Sequence, residues 1–461
     1  MTRRPPRRPP RPAGPRGQKR APAAARPAGP RGQKRALSTA RAGGRIERGG
    51  DRALAEILAD ALRAPASEPH IAESLTHPLH TYPARMDPAT ARHLIAHLTG
   101  GATRQVVLDP FCGSGTTLVE ARAAGLTAIG SDLNPLAVAI ARAKTWTAPA
   151  ARRAALRAAG GEIAGRVLAE GKAARRAGHR AAPLRRVGPD PDARDRAIGE
   201  WFAPHVRREL EQIGAEVDAL GARDPELGEV LRVVLSSILY KVSRRASDTD
   251  PRRVERQVGR GQAARLLARR VDLLVAGLDD LARIPGPPVA VAVADARSLG
   301  RVTGPASADL IVTSPPYAGT YDYADLHGLR MLFLGMDPRA VARAEIGARS
   351  RFGAAPHETR RALARHLKEM SQALGEMARA LRPGGRAVLM LGDSLAGREP
   401  VRADLLLRDA LAALPERAPA LALVAWASQE RPPLGGAERR AFGAGAPKRE
   451  HLMLVERPSA R

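Results

Sequence analysis

The sequence predicts an α/β fold: a mostly parallel sheet with an antiparallel last strand, interrupted by a long helical insertion. Three observations carry this. Short β-branched runs end in aspartate and pass into helices opened by glycine or proline, at 105–109 and again at 127–132. From about Thr147 to Arg283 strand patterning vanishes, and apolar residues recur at steps of three and four. Strand–helix alternation then resumes at Val289 and continues to the end of the chain.

Composition bounds the rest. At roughly 100–200 residues per domain, 461 residues suit two or three domains, or one large core with insertions. Apolar residues make up 44%, enough for a real core. Cys112 is the only cysteine, which excludes an intramolecular disulfide and any cysteine-based zinc cluster. No run of about 18 apolar residues suggests a membrane span, and no apolar stretch follows the N-terminal arginines as in a secretory signal. A soluble, cytoplasmic protein without a metal is expected. The net charge of +28 points toward a polyanionic partner, most simply nucleic acid.

Taken in order, residues 1–48 form a tail of Arg, Pro, Ala and Gly in which Arg-Pro-Ala-Gly-Pro-Arg-Gly-Gln-Lys-Arg-Ala occurs twice, from Arg11 and from Arg26. Such a segment buries too little surface to offset chain entropy and is expected to be disordered. Ordered structure is expected near Arg52, where Leu54, Ile57, Leu58 and Leu62 share a helical face. Residues 49–148 then supply strand 105–109, helix 116–124, strand 127–132 and a helix opening at Pro135. Residues 149–284 read as two to four helices with Arg-rich polar faces. Residues 285–461 supply strands 289–294 and 309–313 and a long helix through Leu363, Leu367, Met370 and Leu374. Pro383-Gly-Gly385 stops that helix before strand 386–391. Strands 421–427 and 450–456 follow, their close spacing suggesting an antiparallel pair at a sheet edge.

The informative segment is Leu108-Asp-Pro-Phe-Cys-Gly-Ser-Gly-Thr-Thr-Leu118. Gly113 and Gly115 permit a tight turn and close approach of backbone to a ligand. The helix start at Thr116 offers free N–H groups to an anion. A nicotinamide dinucleotide fingerprint fails because its third glycine position is Leu118, and no Gly-Lys-Ser/Thr phosphate loop is present. About 20 residues on, Asp132 ends the next strand, where a carboxylate accepts ribose hydroxyls. Asp295 ends the strand after the insertion and is placed to accept from an adenine amino group. Ribose and adenine without a pyrophosphate loop suggest S-adenosyl-L-methionine. The competing reading makes both aspartates simple helix caps.

Ser314-Pro-Pro-Tyr317 follows strand 309–313. Pro315 and Pro316 fix the backbone and remove two donors, so the Ser314 hydroxyl and neighbouring carbonyls are free to accept from an exocyclic base amine. Held by two acceptors, that nitrogen localises its lone pair toward an electrophilic methyl group. Tyr317 is placed to stack on the base, which in a duplex must first be flipped out. The alternative is a rigid loop entry with a buried tyrosine. Three of the five tyrosines, Tyr317, Tyr321 and Tyr323, gather here, which favours stacking.

These motifs resemble those of S-adenosylmethionine-dependent DNA amino-methyltransferases. Asp109-Pro-Phe-Cys-Gly-Ser-Gly-Thr-Thr117 resembles the family's cofactor loop, Gly130-Ser-Asp-Leu-Asn-Pro135 its ribose-binding strand end, and Thr313-Ser-Pro-Pro-Tyr317 its catalytic motif in the form usual for cytosine N4 enzymes. His80-Thr-Tyr-Pro-Ala-Arg85 resembles the segment closing over the methionine end, while Leu381-Arg-Pro-Gly-Gly385 and Gly392-Asp-Ser394 resemble later core motifs. The resemblance implies a Rossmann-like class I methyltransferase sheet with Ser314, Pro315, Pro316 and Tyr317 at the chemistry. Tyr82, Asp109, Phe111, Gly113, Gly115, Thr116, Asp132, Leu133 and Asp295 are implied around the cofactor. It implies DNA as partner, with RNA still open, and a cognate restriction endonuclease as a possible companion. The tail and the insertion lie outside it.

Cytosine C5 chemistry needs a thiolate in its own loop; Cys112 lies in the cofactor loop, so C5 transfer is excluded and Cys112 reads as a packing residue. Adenine N6 of DNA, guanine N2 of RNA, and an inactive nucleic-acid-binding scaffold remain as alternatives. The insertion, with Arg244-Arg245 and Arg252-Arg253, and the loop 318–355 are the candidates for gripping nucleic acid; the competing reading makes these arginines solvated helix faces. Residues 1–50 carry 15 Lys+Arg against one acidic residue, Glu47, which is half of the net charge. A tail of this kind adds salt-dependent affinity without specifying a base.

Overall fold

The computed structural model describes residues 43–459, apart from 84, 103, 178–184, 248, 249, 251, 354, 434 and 444. The chain begins with strand β1 (Ile46–Gly50) and helices α1 (Arg52–Ser67) and α2 (Pro88–Leu98). Then come β2 (Val106–Asp109), α3 (Thr116–Ala123), β3 (Thr127–Asp132) and α4 (Pro135–Lys144). Five helices follow: α5 (Ala150–Ala177), α6 (Pro191–Trp201), α7 (Pro204–Arg223), α8 (Pro225–Val242) and α9 (Gln262–Ala282). Next are β4 (Ala290–Val293), β5 (Ala308–Thr313), α10 (Tyr323–Phe333), α11 (Pro338–Ala344) and α12 (Pro356–Ala380). The remaining elements are β6 (Leu381–Gly392), the hairpin β7 (Ser394–Ala396) and β8 (Glu399–Val401), α13 (Ala403–Ala412), β9 (Ala422–Glu430), α14 (Gly436–Ala441) and β10 (Arg449–Glu456).

Eight strands form one sheet in the order β1-β9-β10-β6-β5-β2-β3-β4. β4, β3, β2, β5 and β6 are mutually parallel, and β10, β9 and β1 add in antiparallel fashion. The expected Rossmann-like α/β sheet is therefore present. The central strands are buried on both faces, which is why they read as continuous Val, Leu and Ile runs rather than alternations. One face packs Leu58, Leu62, Leu94 and Leu118 against Val107 and Leu454. The other packs Met370, Leu374 and Met377 against Ile311, Leu389 and Met453. The chain runs outward from β2 through β3 to β4, then returns to β5 on the opposite side of β2. Strand order thus reverses between β2 and β5, and the crevice at their carboxyl ends is where open α/β sheets bind ligands.

Several expectations need correction. Order begins before Arg52: Ile46 through Gly50 pair with Gln429 through Ala425. The late pair β9–β10 is antiparallel as expected but does not form the edge, because β1 covers β9. The stretch after β3 and α4 holds five helices, α5–α9, not two to four. The long helix ends at Ala380, just before Pro383-Gly-Gly385, but the strand begins at Leu381 rather than Arg386, so that this segment bulges within β6, whose register against β5 shifts between Leu381 and Arg386. Residues 1–42 of the expected tail lie outside the described residues. Among the described residues, no helix is long and apolar enough to cross a membrane.

The helices α5–α9 share a core with the rest of the chain: Leu231, Leu235 and Leu239 pack in one cluster with Leu79, Leu136, Ile140, Leu329 and Phe333. Their buried charges are internally matched, as where Arg194, wholly buried, donates to Glu211 at 2.7 Å. Arg245 is also buried, its guanidinium 5.3 Å from the Tyr240 ring and 5.8 Å from Trp201. Arg252 clasps Asp250 at 2.6 Å. Of these two arginines of the basic runs, Arg245 is engaged within the protein, while Arg252 stays exposed beside Asp250.

Candidate active site

A crevice of about 890 Å³, counted to its open mouth, lies over the carboxyl ends of β2, β3, β4 and β5. Its lining includes Tyr82, Asp109, Phe111, Gly113, Thr116, Asp132, Leu133, Asp295, Ser314 and Pro316. Three further residues singled out from the sequence do not line it: Gly115, Pro315 and Tyr317.

The cofactor-loop turn is built by two left-handed glycines. Gly113 has φ +48° and faces the crevice beneath Tyr82; a Cβ on it would stand 3.3 Å from Tyr82 Cε1. Gly115 has φ +78°, but its open face meets α4, where a Cβ would come within 2.9 Å of Ala141. Gly115 therefore lets helix α4 pack against the turn, and the expectation that it brings backbone close to a ligand needs that correction. Below the turn, buried Lys144 donates to the Ser114 carbonyl at 3.0 Å, and desolvation lowers its pKa to about 7.

Two carboxylates organise the crevice. Asp132 accepts from Gly113 N at 2.9 Å and from Asn134 N at 2.8 Å, one bond on each oxygen. Each oxygen keeps a lone-pair direction for a further donor. Burial raises the pKa of Asp132 to about 6, against the pull of those two N–H groups. Asp109 accepts from Phe111 N at 3.1 Å and from Thr313 Oγ1 at 2.6 Å, and burial likewise raises it to about 6. The Thr313 contact joins the strand end carrying the cofactor loop to the strand end carrying Ser-Pro-Pro-Tyr. Asp295 is different. Burial pushes its pKa up, but Arg297, donating through Nη2 at 2.6 Å and through its backbone N at 2.9 Å, holds it below the ordinary value.

Polar groups with nothing to bind point to a ligand here. Ser114 Oγ, Thr116 Oγ1 and Asn134 Nδ2 are buried without a hydrogen-bond partner among the described residues, and all three residues line the crevice. Such groups cost about 1–3 kcal/mol each when left unmatched, a penalty that a polar ligand relieves.

The closing segment rests on helix α8. His80 Nδ1 donates to the Thr81 carbonyl at 2.7 Å, so its Nε2 accepts from Ser236 Oγ at 2.9 Å. Tyr82 stacks on His327 with centroids 4.4 Å apart. Helices α8 and α10 thereby hold the segment across the crevice.

At the chemical end, Ser314 Oγ donates to the Met390 carbonyl at 3.3 Å, which leaves its oxygen to accept, with one lone pair toward the Tyr317 hydroxyl and one for a further donor. Tyr317 turns into a second, small apolar hollow lined by His366, Met370, Leu391, Val401 and Leu406, with its hydroxyl reaching Ser314. Its ring lies over Gly392, where a Cβ would stand 2.6 Å from Cε2; this gives the glycine of Gly392-Asp-Ser394 a steric reason. Cys112 is buried, its thiol pushed well above its ordinary pKa by desolvation, as a packing residue requires.

One titratable crevice residue that the sequence does not single out is Glu345. Glu345 accepts from the backbone N–H groups of Tyr323 at 2.8 Å and Ala324 at 3.4 Å, and burial raises its pKa to about 7. It caps α10 and sets Tyr323 into the wall opposite the cofactor loop. No local pattern marks Glu345, because the helix end it serves lies some twenty residues upstream. Elsewhere, Asp393, Asp404 and His451 bring three ligand-type atoms within 4.8 Å of one another. Asp393 already accepts from Arg402, Ala403 N, Arg449 N and His451, which fills its four lone-pair directions.

The N6/N4 methyltransferase family model, described as DNA methylase, matches residues 55–143. The Type II methyltransferase M.MvaI of Kocuria varians is 45% identical over 75 residues, so the match spans 16% of this chain and 16% of that relative. Among solved structures, TrmN from Thermus thermophilus is 14% identical, with 80% of this chain and 48% of that one covered at a TM-score of 0.29. The rRNA methyltransferase aviRa from Streptomyces viridochromogenes is 12% identical, covering 82% of this chain and 88% of that one at 0.26. A SAM-dependent methyltransferase of Methanosarcina mazei is 11% identical, covering 78% and 95% at 0.28.

Proposed function

We propose that this chain, an N6/N4-type DNA methylase over residues 55–143, is an S-adenosylmethionine-dependent enzyme that methylates an exocyclic base amine of DNA, cytosine N4 first among them. One observation carries the reading: a single crevice brings the glycine turn, Asp132 and the unmatched Ser114, Thr116 and Asn134 groups to face Ser314 and Pro316. When bound, the cofactor supplies an electrophilic methyl group for an amine nitrogen.

The residues present fit that group. Asp132 accepts the ribose hydroxyls, and its ionised form is the stronger acceptor. Thr116, Ser114 and the turn at Gly113 receive the methionine end beneath Tyr82. Phe111, Leu133 and Ala296 offer apolar walls to the adenine. Asp295 is already clasped by Arg297, so it serves the adenine amino group less freely than an unpaired carboxylate does. Ser314 Oγ and the carbonyls beside the proline pair accept the two amine hydrogens, with the Ser314 proton directed away to Met390. Tyr317, turned into the neighbouring hollow over Gly392, braces Ser314 through its hydroxyl instead of stacking on the base. Cytosine is favoured over adenine by serine at the first position of the motif.

The test separates two halves of one crevice. Asp132→Ala is expected to abolish cofactor binding measured calorimetrically, whereas Ser314→Ala keeps binding and loses methyl transfer to DNA. Retained transfer in Ser314→Ala removes Ser314 from the chemistry.

A further inference from the structure

We infer that the groove between the turn Arg349–Arg351 and the start of helix α12 holds the phosphodiester backbone of the nucleic acid beside the reacting base. This rests on the methyltransferase reading above and says where its substrate is gripped.

The groove, of about 940 Å³ counted to its open mouth, is lined by Ser350, Arg351, Gly353, Glu358, Arg361 and Arg365. Between residues 349 and 365 the sequence carries five arginines and one acidic residue. Arg349, Arg360 and Arg361 are exposed and form no ion pair among the described residues. Glu358, the one acidic residue of this stretch, lies in the groove wall and accepts from the backbone N–H of Ala355 at the start of α12, so it balances one of the five arginines. Further in, a single buried carboxylate, Glu369, is shared by Arg365 at 2.9 Å, Arg297 at 3.1 Å and Arg351 at 3.6 Å. Arg351 Nη1 is buried and lacks a hydrogen-bond partner. The groove is therefore cationic in excess of its counter-charges, with planar guanidiniums suited to phosphate oxygens.

Position supplies the second half of the argument. Arg349 N donates to the Tyr321 carbonyl at 3.1 Å, and Ser350 donates through N and Oγ to Asp322 at 2.9 and 2.8 Å. Phe352 packs against Ala318 and Ala396. The groove is thus pinned to the segment directly after Ser314-Pro-Pro-Tyr317. It is also joined to the cofactor crevice through the chain Arg365–Glu369–Arg297–Asp295. A nucleotide swung out of a stack carries a phosphate on each side, and these must lie near the pocket mouth. A basic groove pinned to the residues just after the motif meets that need, whereas Arg245 is buried against Tyr240.

The experiment uses the full chain and a fluorescent DNA duplex, with anisotropy followed across salt concentrations. The groove variants are Arg361→Glu and the double Arg361→Glu/Arg365→Gln. A charge-matched control is Arg104→Glu/Arg301→Gln, two exposed arginines that precede β2 and β5, at the opposite end of the parallel strands. The expected result is affinity about tenfold or more lower in the groove variants, a log–log salt slope reduced by about 1 per arginine removed, an unchanged control, and cofactor affinity as in the parent. Equal weakening in the control, or none in the groove variants, overturns the groove while leaving methyl transfer by the parent protein as separate support for the function. Displacement of the duplex by inorganic phosphate at matched ionic strength makes the groove a free-phosphate site and also overturns it. A parent protein that binds cofactor but no duplex overturns the groove and the DNA reading together.

Discussion

Thr313 donates its hydroxyl to Asp109 at 2.6 Å, across two parallel strands whose ends carry the two halves of the crevice. The residue that closes the cofactor-loop strand is thus fixed by the residue that precedes Ser314. Removing the donor leaves a buried carboxylate short of one partner, a loss of about 1–3 kcal/mol. Thr313→Val is therefore expected to lower the melting temperature and to weaken both cofactor binding and methyl transfer. Thr313→Ser, which keeps the hydroxyl, restores most of each. A valine variant with unaltered transfer shows the contact to be dispensable.

Cofactor affinity is expected to depend on pH through Asp132. Its pKa, raised by burial from 3.8 to about 6, means that the folded protein keeps a proton the unfolded chain has released between those values. Ionisation in this window costs the ligand-free fold stability as pH rises, and Asp109, raised to about 6, acts in the same sense. Ribose hydroxyls offset that cost only when the carboxylate is ionised. Thermal stabilisation by S-adenosylmethionine should therefore be larger at pH 7.5 than at pH 5, and the difference should vanish in Asp132→Asn. A stabilisation independent of pH in the parent protein contradicts the assignment.

Gly392→Ala should impair transfer while sparing cofactor binding. The new Cβ must displace the Tyr317 ring from a distance of 2.6 Å and, through its hydroxyl, Ser314, and an ångström of misplacement at a reacting centre costs roughly 10²-fold. Single-turnover rates beside cofactor titrations read the two effects separately.

Glu345 should give the transfer rate an acidic limb. Its pKa is raised to about 7, and its ionised form best holds the N–H groups that set Tyr323 in the wall. Activity is expected to rise with pH through that value in the parent protein. The limb should disappear in Glu345→Gln, which stays neutral throughout. A pH profile shared by both proteins assigns the limb to another group.

Cys112 should be inert. Its buried thiol is pushed well above the ordinary range, so iodoacetamide is expected to leave the folded protein unmodified at pH 8, and Cys112→Ala should transfer methyl groups at the parent rate. A Cys112→Ala protein without transfer would return the thiol to the chemistry.

What the sequence disclosed follows the range of each physical signal. The turn around Gly113 and the strand ends at Asp109, Asp132 and Ser314 are local patterns, and the fold places them together because parallel strands end on one side of a sheet. Pairings between distant segments leave no such mark. The strand Ile46–Gly50 is short, holds two glycines and a charge pair, and takes its form from β9, nearly 400 residues away. Glu345 is legible only once α10 is seen to begin beside it. Arg245 looked like a surface cation because composition cannot tell a guanidinium in solvent from one laid over Tyr240. Gly115 looked like a ligand-side glycine because the partner that demands it, Ala141, lies in the next helix.

The central claim is methyl transfer to an exocyclic amine of DNA at Ser314-Pro-Pro-Tyr317. Incubation of the protein with methyl-labelled S-adenosylmethionine and DNA, followed by digestion to nucleosides, tests it most directly. The account predicts label in N4-methylcytosine from the parent protein and none from Ser314→Ala. Label in N6-methyladenine would contradict the choice of base, and label in 5-methylcytosine, or in no nucleoside of DNA, would contradict the account itself.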